Sequence, residues 1–519
     1  MHIKLIDGHD CIGGNKILVS SSSGEGFLLD FGVNFKKWSL YFEEYLKPRT
    51  GRILHDLLKL ELIPKLNIYR SDLMPPQFEN DVNVRFVFLS HAHTDHCGLI
   101  GLLSEQIPLI MTNETFALLS VMDQLKPSVW EQLAIKTRVP ANEEHVRSDV
   151  LVNDRKKEKK KRRICAGDTL ESTDGDFETV SFEQCWPGFV KVLPVYHSVL
   201  GAAALCVEVD DALVVYTGDL RMSPTKDEED FWRFELGEKR LDLSKRTERF
   251  VQEVKRHRDS LKKILILIVE GTRLGRVEES VSNERTVFEN ARELISKTNR
   301  LIIADFPTKH LERLMTFLKI AQVCDRFLVL TPKDYALLEN MGRIDPTWQL
   351  TEQELSHIRI YHVAKVEFSK LEKDAIMFGK TAGLLVSPGE INQRPERFII
   401  AAGYFDMPQI LDIDESVLSG SMYIHSTSEA YTEEQQMDYK RFRNWLSRFN
   451  IQPFGLRFDN DEIVFTKEFH ASGHLSAHDL EWLIKTLEPD FIIPVHTEDK
   501  SWFVNRWGSK VLTQEEVYL

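Results

Sequence analysis

The stretch His91-Ala-His-Thr-Asp-His96 gathers three imidazoles and a carboxylate within six residues, directly after the apolar run VRFVFLS from Val84 to Ser90. A run of that length and composition reads as a buried strand, so the cluster is expected at a strand end. In extended chain His91 and His93 lie two apart and project to the same side, where they can share one ion. If the chain turns at Thr94 and a helix begins, Asp95 and His96 swing toward a second ion. Two divalent ions about 3.5–4 Å apart can clamp both oxygens of a displacement and lower the pKa of bound water toward ~7. This is the machinery of hydrolysis. The alternative, a surface turn that is merely His-rich, requires four metal-ligating side chains to collect without a use.

With 519 residues the chain is long enough for two or three domains, and 42% hydrophobic with 28% charged residues is ordinary for a globular protein. The strongest apolar run, ILILIV from Ile264 to Val269, is far too short to span a membrane. No apolar signal stretch follows Met1, so the expectation is a cytoplasmic protein with no membrane partner. The six cysteines (Cys11, Cys97, Cys165, Cys185, Cys206 and Cys324) are scattered without CxxC spacing, which suggests neither a disulfide framework nor a zinc finger. A net charge of −14 argues against a surface that coats nucleic acid generically, though not against a locally basic groove. The basic run RKKEKKKRR, Arg155 to Arg163, reads as a solvated loop, with a phosphate-tracking loop as the sharper alternative.

Organisation along the chain falls into two styles. Up to about residue 270, short β-type runs are split by glycine and Asx turns: KILVSS, GFLLDFG, FVKVLPVY, ALCVEVD and ALVVYTGD. From Glu278 helices and strands alternate. VSNERTVFENARELISK (281–297) and HLERLMTFLKIAQ (310–322) have helical periodicity, and each precedes a strand-like run, RLIIADF and FLVLT. That alternation predicts a parallel sheet flanked by helices, and YTEEQQMDYKRFRNWLSRF (431–449) predicts one more amphipathic helix. Three or four ligands per ion demand more groups than HAHTDH supplies. His197 in PVYHSV, Asp219 in VVYTGDLR and His496 in FIIPVHTED each end a predicted strand. Alone, each is ordinary strand-end or turn chemistry.

Taken in order with Asp30 in LLDFG, these positions resemble the metallo-β-lactamase fold, whose motifs are an early strand-end Asp, HxHxDH, a His, an Asp and a late His. The resemblance implies that His91, His93 and His197 hold one metal, that Asp95, His96 and His496 hold the other, and that Asp219 bridges them. Asp30 would receive a ligand N–H and hold its tautomer. A nitrogen and oxygen ligand set suits Zn²⁺, with Mn²⁺ tolerated by the same groups. Cys97, next to His96, is read as buried filler.

Two further segments narrow the resemblance. IVEGTRLGR places Glu270 at the end of the ILILIV strand, and FHASGHLSAHDL sets His470, Ser472 and His474 on a polar turn ahead of a helix. With His496 in PVHTED they resemble motifs A, B and C of the β-CASP nucleases, in particular the RNase J-like, RNA-processing members; SGSMYIHSTSEAYTEEQQ (419–436) is similar as well. The implied fold class is α/β: an αββα metallo-β-lactamase sandwich formed by residues 1–272 and 462–519, with a β-CASP α/β domain inserted at 273–461 and the active site in the cleft between the two. The implied activity is hydrolysis of phosphodiester bonds in single-stranded RNA by a dimetal-activated hydroxide, as a 5′-exonuclease, an endonuclease or both. Asp95, Glu270 and His474 would be catalytic, with His474 oriented by Glu270 and contacting the scissile phosphate. His470 and Ser472 would hold a neighbouring phosphate, although helix capping by Ser472 or Ser476 explains the same polar turn. A His at the third motif goes with RNA in this family, where DNA nucleases carry Val. Homodimer formation is left open. Two alternatives stand beside this reading: a DNA-directed β-CASP nuclease, and a hydrolase of a small ester or thioester, which would need neither Glu270 nor His474. A non-catalytic binding subunit would be expected to have lost metal ligands, and none is lost.

Overall fold

Apolar runs bounded by turn residues become strands near their predicted limits, because alternation in the sequence leaves one face, or both, to bury. The structure, a computed structural model, describes residues 1–43, 45–79, 82–125, 128, 130–143, 145–154, 160–166, 176–222, 226–275, 283–430, 433–459 and 462–519. It is a mixed α/β fold. The chain forms two compact units, one made of Met1–Ser223, Lys245–Val277 and Gly473–Leu519, the other of Pro224–Ser244 and Glu278–Ser472.

The first unit contains two large sheets. An eight-stranded sheet runs in the order Glu516–Tyr518, His2–Asp7, Lys16–Ser20, Glu25–Leu29, Asn83–Phe88, Leu109–Ile110, Arg162–Cys165, Phe177–Thr179. A five-stranded sheet runs Val190–Pro194, Ala203–Val209, Ala212–Tyr216, Ile264–Glu270, Phe491–Val495. The two-residue period decides which side chains meet. Ile17, Val19, Phe27, Leu29, Phe86 and Phe88 of the larger sheet share one buried core with Leu205, Val207, Val214, Ile266, Ile268 and Ile493 of the smaller. The alternate residues Cys206, Leu213, Val215, Leu265 and Leu267 face a second core, closed by Phe250 and Val254 of the helix Arg246–Leu261 and by Leu480, Leu483 and Ile484 of the helix Ala477–Leu487. Strands covered on both faces are apolar throughout, which is why ILILIV shows no alternation. Leu205 is fully buried between the sheets, so Leu205→Ala should cost ~2–5 kcal/mol, read as a lower denaturant midpoint with an unchanged slope.

Pairing direction then places chemistry. Ala212–Tyr216, Ile264–Glu270 and Phe491–Val495 are mutually parallel, so the residues at or just after their C-terminal ends lie at one edge of the sheet. Asp219, Glu270 and His496 are those residues. Glu25–Leu29 and Asn83–Phe88 are parallel too, which sets Asp30 beside Ser90 and His91.

The second unit is built on the parallel sheet that the alternation predicts. Its order is Leu385–Val386, Ile358–Tyr361, Phe327–Leu330, Phe398–Ala401, Ile302–Asp305, Met422–His425, Gln452–Phe454, and every neighbouring pair is parallel. The predicted helices are observed over Glu284–Ser296, Leu311–Val323 and Glu433–Arg448. One segment carried no sequence sign of its place: Pro224–Ser244 groups with this unit although it lies well ahead of the expected division after residue 272. Side-chain contacts account for it, since the Phe231 ring packs tilted against Phe288 with centroids 5.2 Å apart and Arg240 donates to Glu354 at 2.8 Å.

Residues 155–159 of the basic run, with Tyr431 and Thr432 of the 419–436 segment, lie outside the described residues. The end of the run is not a solvated loop. Arg162 opens a strand, is fully buried and donates to the carbonyls of Ile100, Leu103 and Leu133, and burial pushes its guanidinium down to about 9. Lys160 pairs with Glu105 at 2.7 Å. Among the described residues no helix is long and apolar enough to cross a membrane.

Candidate metal centre

The predicted turn at Thr94 exists. The strand ends at Phe88, His91 to His93 continue in extended or bent chain, and a single helical turn runs from Thr94 to Cys97. Two glycines permit the approach of neighbouring loops to this turn: a Cβ on Gly32 would fall 1.7 Å from the Asp95 carbonyl oxygen, and one on Gly13, at φ +84°, 2.9 Å from the Asp95 side chain. Cys97 is buried, as expected of filler.

His91, His93 and His197 meet with their ring nitrogens converging. His91 Nε2 lies 3.0 Å from His93 Nδ1, which is 3.4 Å from His197 Nε2. Tetrahedral coordination with bonds of ~2.0–2.1 Å separates ligand atoms by about 3.3–3.4 Å, so the spacing fits three ligands of one ion. Tautomers agree with this. His197 Nδ1 donates to the Gly473 carbonyl at 2.6 Å, and His91 Nδ1 donates at 2.9 Å to Ser90 Oγ, whose own proton goes to Asp30 at 2.8 Å. Both therefore present an Nε2 lone pair to the interior. Burial, then the neighbouring imidazoles, holds His91 and His197 well below the usual histidine range, in the neutral form a metal requires.

Asp95, His96 and His496 form a second group, with ligand atoms within 4.8 Å of one another. His96 Nδ1 donates to Asp30 Oδ2 at 2.7 Å, and His496 Nδ1 donates to Thr272 Oγ1 at 2.9 Å. Again Nε2 is left facing inward. Burial disfavours charge on His96, but Asp219, Asp95 and Asp30 outweigh it and raise the imidazole well above its ordinary value. The site thus stabilises a cation, proton or metal, at that nitrogen.

Asp219 lies between the groups. Its Oδ2 is 3.1 Å from His96 Nε2, 3.6 Å from His91 Nε2 and 3.8 Å from both His496 Nε2 and His474 Nδ1. Its Oδ1 is buried with no hydrogen-bond partner, as is the Nε2 of His96. A buried carboxylate oxygen and an imidazole lone pair left without hydrogens are costly unless a cation completes them. The donor set therefore fits two divalent ions, with His91, His93 and His197 around one, Asp95, His96 and His496 around the other, and Asp219 in reach of both.

Asp30 accepts the N–H of one candidate ligand, His96, and is linked to a second, His91, through the Ser90 hydroxyl. Besides His96 it accepts from Ser90 N at 2.7 Å and Tyr216 OH at 2.6 Å, in a left-handed backbone at φ 59°. His496 shares that unusual conformation, at φ 52°, and strain of this kind collects at functional sites. Asp30→Asn should lower divalent-metal affinity ~10–100-fold, since the amide can no longer accept from every donor; titration with a chromophoric chelator measures it.

Glu270 and His474 are brought together. His474 Nδ1 donates to Glu270 Oε2 at 2.8 Å, and Glu270 also accepts from Leu220 N at 2.8 Å and from the Thr272 hydroxyl. Burial opposes charge on His474, yet Glu270 and then Asp219 raise it above the usual histidine value. Three residues that pattern reading passed over complete this network: Ser90, Tyr216 and Thr272. Thr272 follows Glu270 by two residues on the same strand end, the signal that could have found it; Ser90 and Tyr216 looked like strand residues and acquire their role only through Asp30.

His470 and Ser472 fall in the second unit. Burial, then Arg313 and His425, pushes His470 down to about 3, so its imidazole is neutral. Attraction of a phosphate to His470 by charge is excluded in that state; an N–H donor remains.

No family model matches the sequence. Two curated proteins are similar to it: a protein named Ribonuclease J from Mycoplasma genitalium, 19% identical over 425 residues, and one of the same name from Mycoplasma pneumoniae, 19% identical over 424. Each alignment covers 81% of this chain and 59% of the relative, so the chain spans well under two thirds of the curated relatives it matches. Among solved structures, the chain is similar to a protein of unknown function from Enterococcus faecalis, with a TM-score of 0.66 and 20% identity over 100% of this chain and 99% of that one. That likeness is one of fold, and the chain's distant sequence relatives over most of its length are proteins named Ribonuclease J.

Proposed function

We propose that this protein is a metal-dependent ribonuclease that hydrolyses phosphodiester bonds of single-stranded RNA, built as a metallo-β-lactamase domain with an inserted β-CASP domain. The observation that carries the reading is the position of Asp219, one carboxylate facing both imidazole groups and the His474–Glu270 pair. The distant relatives named Ribonuclease J support the substrate class.

Two divalent ions, Zn²⁺ by the nitrogen and oxygen donor set or Mn²⁺, would supply Lewis-acid polarisation of a phosphoryl oxygen and a nucleophile active at neutral pH. The protein's own groups do the rest. Asp30, Ser90, Thr272 and the Gly473 carbonyl hold four imidazoles in one tautomer, so no reorganisation is needed when charge develops. Asp95 and Asp219, both kept ionised by the surrounding imidazoles against burial, balance the positive charge. His474, charged and anchored on Glu270, offers its Nε2 proton to a non-bridging oxygen or to the departing alkoxide. His470 and Ser472 add neutral donors for a neighbouring phosphate.

The test uses a 5′-monophosphorylated single-stranded RNA and its DNA counterpart, end-labelled, with Zn²⁺ or Mn²⁺, beside an Asp95→Ala, His96→Ala control. The expected result is RNA cleavage lost in the control, with the product ladder showing 5′-exonucleolytic or internal cutting. RNA left intact while a small ester or thioester is turned over would replace this reading with the small-molecule hydrolase, and faster cleavage of the DNA strand would replace the substrate.

A further inference from the structure

We infer that the second unit carries a mononuclear site for a divalent transition cation, formed by Glu284, His310 and Glu312 and separate from the centre described above. All three side chains are buried, at 2%, 6% and 6% exposure, and their ligand atoms lie within 4.8 Å of one another. His310 Nε2 has no hydrogen-bond partner and points between the two carboxylates, 3.6 Å from Glu284 Oε1 and 3.6 Å from Glu312 Oε2. For tetrahedral ligands that separation corresponds to bonds of about 2.2 Å, at the upper end of the range for carboxylate ligands of Zn²⁺ and about 0.1 Å beyond that for imidazole.

The local sequence explains how the groups meet. Glu284 is the first residue of the helix Glu284–Ser296, which Asn283 caps, and Glu312 lies in the first turn of Leu311–Val323, with His310 at its N-cap. Both helix ends favour ionised carboxylates. A buried imidazole nitrogen left without a hydrogen-bond partner between two buried carboxylates is a ligand set that a cation would complete.

Arg313 prepares the site without filling it. Its guanidinium donates to both oxygens of Glu284 at 2.9 Å and fixes the rotamer of Glu284 with Oε1 still turned toward His310. The same guanidinium donates to the Ser426 carbonyl at 2.7 Å and the Phe469 carbonyl at 3.2 Å. An ion here is thus tied, through one buried arginine, to the strand end after Met422–His425 and to the residue that precedes His470. The role is bracing of the second unit's polar turn, and it does not depend on the ribonuclease reading.

The test counts ions. Full-length protein in an Asp219→Asn, His96→Gln background, which impairs the first centre, is equilibrated with Zn²⁺ or Mn²⁺, desalted and assayed by mass spectrometry of the metal. One ion per chain at the inferred site is expected, lost on adding Glu312→Gln, with an unchanged circular dichroism spectrum and a melting temperature that no longer rises with added metal. An ion count that Glu312→Gln leaves unaltered overturns the proposal. Should that variant fail to fold, crystals of the unaltered protein with Mn²⁺ decide: an anomalous peak among Glu284, His310 and Glu312 supports the site, and none there overturns it.

Discussion

Asp219→Ala is expected to reduce RNA cleavage by at least about a thousandfold and to lower the metal content of the purified protein. The reason is geometric. Asp219 Oδ2 lies 3.1–3.8 Å from four histidine nitrogens drawn from both imidazole groups and from His474, so its loss removes charge from every part of the centre. Several kcal/mol of charge stabilisation in a bound pair of ions corresponds to a rate factor of that order. Single-turnover cleavage, with metal quantified on the same sample, checks it. Turnover and metal content both within threefold of the unaltered protein would show that the carboxylate is not the shared ligand and would remove the main support for the hydrolase reading.

His474→Ala should cost ~10²–10⁴-fold in the cleavage step while leaving metal content unchanged, the contribution usual for a positioned proton donor. His474 meets Glu270 at 2.8 Å but approaches Asp219 no closer than 3.8 Å, so it is hydrogen-bonded to one and merely near the other. Glu270→Gln tests the same pair from the other side. The amide still accepts from His474 but no longer stabilises its charge, so the rate should fall less than for His474→Ala and the alkaline limb of activity, where His474 loses its proton, should move to lower pH. That direction follows from the sign of the shift: Glu270 raises the His474 value, and its neutralisation lets the value fall. Loss of metal together with activity in His474→Ala would instead make His474 a ligand.

These two effects were unequally visible in the chain. HAHTDH could be read directly, since two-residue spacing in a strand and a turn at Thr94 are local geometry, and the structure has the helical turn where expected. The strand-end positions of His197, Asp219 and His496 were legible from apolar runs that end in polar residues. That they converge was not legible from spacing, because convergence depends on the parallel pairing of Ala212–Tyr216, Ile264–Glu270 and Phe491–Val495, the last of which lies beyond the segment Glu278–Ser472 of the second unit. The alternation of the second unit foretold its parallel sheet but not the grouping of Pro224–Ser244 with it, since that segment is held by single contacts such as Arg240 to Glu354 rather than by a repeating pattern.

Charge pattern misled in one place for an instructive reason. Arg162 belongs to a run of cations, yet it is fully buried and spends its donors on three backbone carbonyls. Composition cannot distinguish a cation that faces solvent from one that caps carbonyls, because the distinction depends on which loops fold over it.

The sequence singled out the candidate residues: the polar ends of period-two apolar runs, and the cluster from His91 to His96. It could do so because strand geometry and ligand spacing are short-range. Tertiary structure alone decided the protonation of the imidazoles, through Asp30, Ser90, Thr272 and Gly473, and it alone assembled Glu284, His310 and Glu312 around one point. Tautomer and burial are set by partners distant in the chain, and no local pattern records which partner a folded sheet will bring.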